Sequence, residues 1–137
     1  MLIVDTSAAI PFVLADEAAD RLPVVADAMK DGACLAPTLW TWEMANTLWK
    51  ACRSGRLDER QLDTALAIIE GFDISTDPIA ADKALGPTLT LAIRHHLTAY
   101  DAAYLELALR VGAELATHDG ELRKAAIAEG VKVHPQP

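Results

Sequence analysis

The sequence predicts an α/β fold: a central parallel sheet of about five strands with helices on both faces. Three observations predict it. Short apolar runs without polar alternation recur, which suits strands covered on both sides. Segments with apolar residues at helical spacing lie between those runs. Gly, Pro and capping residues mark many of the changeovers.

The first run, Leu2-Ile3-Val4-Asp5, reads as a buried strand with Asp5 at its carboxyl end, and a helix begins near Ser7. Residues 17 to 31 place Ala18, Leu22, Val25 and Met29 on one helical stripe. Cys34-Leu35-Ala36 is the second strand. Pro37 and Thr38 then start a helix that runs to about Ser54, where Gly55 stops it. Residues 58 to 70 form a core-facing helix through Leu62, Ala65, Leu66 and Ile69. Phe72 to Ser75 is the third strand, and the helix expected from about 78 to 96 is interrupted at Gly86-Pro87. From 101 to 112 an inward stripe joins Asp101, Leu105, Ala108 and Gly112, with Tyr104 and Val111 beside it and Glu106 and Arg110 facing solvent. Strands at Glu114 to Thr117 and Val131 to His134 flank a last helix at about 120 to 129.

At 137 residues, 52% of them apolar and 23% charged, the chain is expected to form one folded domain spanning 1–137. No apolar stretch approaches the ~20 residues of a membrane span, and the start lacks the pattern of a secretory leader, so the expected location is the cytoplasm. Cys34 and Cys52 lack metal-ligand spacing and read as structural thiols. The net charge of −8 argues against a general nucleic-acid binder but suits a basic protein partner. A nuclease stays open, because a bound cation can place positive charge where a phosphate must sit. His95 and His96 read as helix-end residues and His134 as exposed. Trp40, Trp42 and Trp49 read as core or dimer interface rather than a base-stacking platform. Lys50, Arg53 and Arg56 read as a solvated helix end, with Lys50 and Arg53 the best candidates for phosphate contacts.

Four acids are the candidates for chemistry. Asp5 and Asp119 sit in strand-to-helix turns at the carboxyl edge of the sheet, where α/β proteins bind ligands, although either could cap a helix. Asp101 fits a capping box with Thr98, yet its wheel position points inward, where an ionised acid needs a partner. Glu43 shares a polar helix face with Thr47, Lys50 and Ser54, and by its wheel reads as surface. If these acids converge, they repel by ~4 kcal/mol for a pair ~4 Å apart at an effective dielectric near 20, and a divalent ion relieves this. Oxygen ligands without a His or Cys cluster favour Mg²⁺ or Mn²⁺ over Zn²⁺.

Four motifs together resemble a PIN domain of the VapC toxin ribonuclease type: Val4-Asp5-Thr6-Ser7, Glu43-Met44-Ala45-Asn46, Leu97 to Leu105 around Tyr100-Asp101, and Leu115-Ala116-Thr117-His118-Asp119 followed by Leu122. The resemblance implies a three-layer PIN-like fold over nearly the whole chain. It assigns Asp5, Glu43, Asp101 and Asp119 to an acidic metal site, with support from Ser7, Asn46 and Thr117. It implies endonucleolytic RNA hydrolysis by a metal-activated water, with the 3′ oxygen leaving. It also implies a homodimer and a small antitoxin with a basic tail. The alternatives are a non-toxin PIN-type nuclease of RNA processing and a non-catalytic acidic α/β module that binds partners. A phosphotransfer domain fits less well: the dehalogenase pattern needs a second Asp where Ser7 stands, and a receiver needs paired acids and a late-strand Lys that are missing.

Overall fold

The computed structural model describes residues 1–137. Five parallel strands form the sheet: β1 (Leu2–Val4), β2 (Cys34–Pro37), β3 (Ile74–Asp77), β4 (Glu114–Ala116) and β5 (Val133–His134), in the order β3-β2-β1-β4-β5. The register sets Ile3 against Leu35 on one side and Leu115 on the other. Ile3, Val4 and Leu115 are wholly buried, as an apolar run covered on both faces requires.

The eight helices are α1 (Thr6–Ala9), α2 (Pro23–Lys30), α3 (Leu39–Arg53), α4 (Glu59–Glu70), α5 (Ala80–Lys83), α6 (Leu89–His95), α7 (Ala99–Val111) and α8 (Gly120–Ala128). From β1 the chain steps outward to β2 and β3, and after β3 it crosses back to β4 and β5. Right-handed crossovers therefore put α1 to α4 on one face and α5 to α8 on the other. The reversal between β1 and β4 leaves a crevice above their carboxyl ends.

Helix α7 is the centre of its layer. Seven consecutive residues, Ala102 to Ala108, are buried, and the helix packs across β1, β2 and β4. A single core cluster of 30 buried residues joins both layers to the sheet. Gly55, at φ +81°, ends α3 in the left-handed conformation that side chains resist, as expected. No helix is long and apolar enough to cross a membrane.

Three expectations change. The helix foreseen at 17 to 31 is two pieces, a 3-10 segment at Ala15–Asp20 and then α2, because Pro23 at the helix start forces Leu22 into an extended conformation at φ −95° and ψ 123°. Glu106 does not face solvent. It is 4% exposed and accepts from Arg110 Nε at 2.7 Å, while Arg110 also reaches the buried Asp77. His134 is half-buried, and its ring contacts Glu114 at 2.6 Å. The interruption at Gly86-Pro87 is real: Gly86 leaves helical geometry at ψ −108° between α5 and α6. Of the three tryptophans only Trp40 is in the core; Trp42 and Trp49 are exposed.

Candidate active site

Asp5 follows β1 directly, and its backbone N–H donates to Ala116 of β4, so the residue hangs over the crevice between the two strands. It is 5% exposed and makes no side-chain cap on α1. Its Oδ2 instead accepts from Ser7 Oγ at 2.7 Å and Thr117 Oγ1 at 2.6 Å. Burial pushes the Asp5 carboxyl up, the two hydroxyls pull it down, and the charge of Asp119 pushes it up again. Each hydroxyl has one hydrogen, and both are committed to Asp5. The Ser7–Thr117 approach at 3.2 Å is therefore a contact between two donors aimed at the same acceptor.

The same hydroxyls stitch the β1 turn to the β4 turn. Ser7 Oγ accepts from the His118 N–H at 2.9 Å, and Thr117 Oγ1 accepts from the Asp119 N–H at 3.0 Å. Asp119 caps α8 by accepting from the Leu122 N–H at 2.8 Å. Asp119 thus caps a helix and still stands near Asp5 and Asp101, whose carboxyls its charge pushes up. Asp101 lies in the first turn of α7, whose N-terminus Thr98 caps by accepting the Asp101 N–H at 3.1 Å. Burial pushes the Asp101 carboxyl up, and the charges of Asp119 and Asp5 push it further.

Glu43 departs from its wheel reading as surface. It is half-buried, and its Oε1 accepts from Tyr104 Oη at 2.5 Å and Thr6 Oγ1 at 3.2 Å. Burial pushes its carboxyl up, as do the charges of Asp5 and Asp101, while the two hydrogen bonds pull it down. Tyr104 is wholly buried, and its phenol is driven far up by burial and by the two carboxylates beside it. Sequence reading placed Tyr104 beside the apolar stripe and missed this role. The available signal was that a buried Tyr hydroxyl needs a partner.

All four acids line one cleft of about 520 Å³, together with Ser7, Asn46, Thr47, Lys50 and His118. Glu17 and Asp20 from the 3-10 segment add two further acids at its rim, which the sequence reading did not include. His118 ties that segment down through a 2.9 Å contact with the Asp20 carbonyl. Lys50 is the only lysine or arginine in the lining. Arg53 lies outside the lining and sits over the Trp49 ring.

No three of the carboxylates stand close enough together to grip an ion as they are. Burial first, and the neighbouring carboxylates after it, push the carboxyls of Asp5, Glu43 and Asp101 up. The donor set is oxygen-only and anionic, which fits a hard divalent cation.

A family model described as PIN domain matches residues 2–128. The chain belongs to the PIN domain family. It is of the VapC type within that family. The chain is 31% identical over 121 residues to Ribonuclease VapC3 of Pyrobaculum aerophilum, covering 88% of this chain and 91% of the relative. It is 35% identical over 85 residues to Exonuclease VapC9 of the same organism, covering 61% of this chain and 60% of that one. Among solved structures it is similar to PAE2754 from Pyrobaculum aerophilum, with TM-score 0.68 and 25% identity over 96% of this chain and 82% of the other. The PIN match spans all four cleft acids.

Proposed function

We propose that this PIN domain protein is an endoribonuclease and the toxin of a toxin–antitoxin pair. The observation that carries the reading is one cleft, at the reversal of the parallel sheet, that collects Asp5, Glu43, Asp101 and Asp119 with almost no cation of its own. A relative named as a ribonuclease, aligned over most of both chains, points to RNA as the substrate.

In this reading Asp5, Asp101 and Asp119 would hold Mg²⁺ or Mn²⁺, with Glu43 beside them. When bound, the ion supplies positive charge to the scissile phosphate and makes water more acidic. The chain's own residues do the rest. Ser7 and Thr117 fix the Asp5 carboxylate in one rotamer by two donated hydrogen bonds. Tyr104 and Thr6 orient Glu43, whose raised carboxyl makes it a stronger base than an exposed glutamate. Glu43 takes the proton from the attacking water as its oxygen bonds to phosphorus in line with the departing 3′ oxygen. The P–O3′ bond breaks, the 3′ oxygen takes up a proton, and the products carry a 5′-phosphate and a 3′-hydroxyl. Asn46 and Lys50 reach the RNA backbone from the rim of the cleft.

The acidic cleft and the net charge of −8 support inhibition by a small antitoxin with a basic tail, and exposed Leu85, Leu89 and Ile93 around α6 support a homodimer. An RNA substrate and a small antitoxin, together with the lack of a helix able to cross a membrane, support action in the cytoplasm. A covalently closed single-stranded RNA tests the activity, because it has no end for an exonuclease to enter. Wild type with Mg²⁺ is expected to linearise it, and Glu43→Gln to lose ~10²-fold or more, the weight of a general base. An intact circle beside a digested linear RNA would make the protein an exonuclease, and no digestion of either would remove the nuclease reading.

A further inference from the structure

We propose that the outer face of α3 is a stacking platform for an unpaired stretch of the RNA substrate, with bases on Trp42 and Trp49 and the backbone on Lys50 and Arg53; this rests on the nuclease reading above and deepens it. Helix α3 buries Trp40, Met44 and Leu48 against the core. Its opposite face holds out Trp42, 78% exposed, and Trp49, 54% exposed. The two indoles are two turns apart, ~10 Å along the axis, on one stripe. Large aromatic rings held out in water mark a contact surface.

Charge selects the partner. The Arg53 guanidinium lies 5.4 Å from the centre of the Trp49 ring, and neither Arg53 nor Lys50 enters an ion pair. Arg56, one turn further on, is held by Asp16 and Glu17. Two cations free of ion pairs beside exposed indoles give this face a local positive charge, against the chain's net −8, that complements a polyanion with aromatic bases. An apolar protein surface laid here would bury both cations without partners. The platform also adjoins the cleft, because Lys50 belongs to both. A strand stacked on α3 is thereby fed toward the four acids. Paired RNA keeps its bases stacked on one another, so only an unpaired segment can use the indoles. Indole faces accept any base, so the platform selects for strandedness more than for sequence.

Steady-state cleavage of a short unstructured RNA and of a fully paired hairpin is compared for wild type, Trp42→Ala, Trp49→Ala and the two Trp→Phe variants, with Mg²⁺ and with antitoxin absent. Each Ala variant is expected to raise KM for the unstructured RNA about tenfold with kcat unchanged, and Phe to restore most of the loss. Unchanged KM in a Trp42→Ala/Trp49→Ala double variant, beside normal wild-type cleavage, would overturn the platform and leave the nuclease standing. The same unchanged KM with a halved molecular mass on gel filtration would make the face a dimer interface instead. Wild type that cleaves no RNA would fail the nuclease reading itself, and the platform with it.

Discussion

Two groups of buried and half-buried acids lie along α7, and they are solved in opposite ways. Toward its carboxyl end, Asp77 and Glu106 share Arg110, which reaches Glu106 at 2.7 Å and also binds Asp77. The guanidinium is a built-in counter-ion. At the amino end, Asp5, Glu43, Asp101 and Asp119 meet around one cleft with no ion pair to any of them, and three of the four carboxyls are pushed up by burial. A fold able to supply an arginine for one cluster leaves the other without one. The difference separates acids held by a counter-ion of the fold from acids that have none.

Opposite behaviour under substitution follows. Asp5→Asn is expected to cut Mg²⁺-dependent RNA cleavage by ~10²-fold or more, as losing a held metal ligand does, while its urea midpoint without metal stays equal to or above wild type, since a buried unpaired charge is gone. A clear fall in that midpoint would make Asp5 structural. Arg110→Met reverses the pattern: it strands two buried acids and is expected to cost about 3–5 kcal/mol in urea unfolding, with kcat retained in the folded fraction. A variant as stable as wild type would dissolve the contrast.

Thr117→Val removes one of the two donors on Asp5 with little change in volume. Activity is expected to fall by about 10–100-fold, with KM for RNA little changed, and Thr117→Ser to recover much of it. Full activity in Thr117→Val would leave Asp5 positioned by Ser7 alone.

Acidity sharpens the contrast further. Carboxyls raised in the folded state mean that the native protein binds protons more tightly than the unfolded chain, so stability is full below the ordinary carboxylate range and falls as pH rises through the raised values of Asp5, Glu43 and Asp101. The melting temperature of metal-free wild type, relative to Asp5→Asn at the same pH, is therefore expected to fall as pH rises above the ordinary carboxylate range. Mn²⁺ competes with those protons, so its stabilisation grows over the same interval. A difference between the two proteins independent of pH would contradict the shared strain in the cleft.

Much of this was legible from the chain. Apolar runs located the strands, and Asp5 and Asp119 stand in turns that any α/β sheet exposes at its ligand edge. Glu43 was not legible in the same way. A wheel tells which face of α3 is polar, but it cannot tell that Tyr104 from another helix closes over that face; only the likeness to PIN sequences raised Glu43. Glu106 and Arg110 failed for the mirrored reason, since Asp77 turns their polar face into a buried ion pair. Pro23 was a local signal passed over, and it splits the helix expected at 17 to 31.

The central claim is that the cleft acids form one cation site. Calorimetric titration of Mn²⁺ into metal-free wild type and Asp5→Asn at pH 7.5 tests it most directly. Saturable binding in wild type, weakened at least tenfold in Asp5→Asn, is the expected result. Equal affinity in the two proteins, or no saturable binding in either, would contradict it.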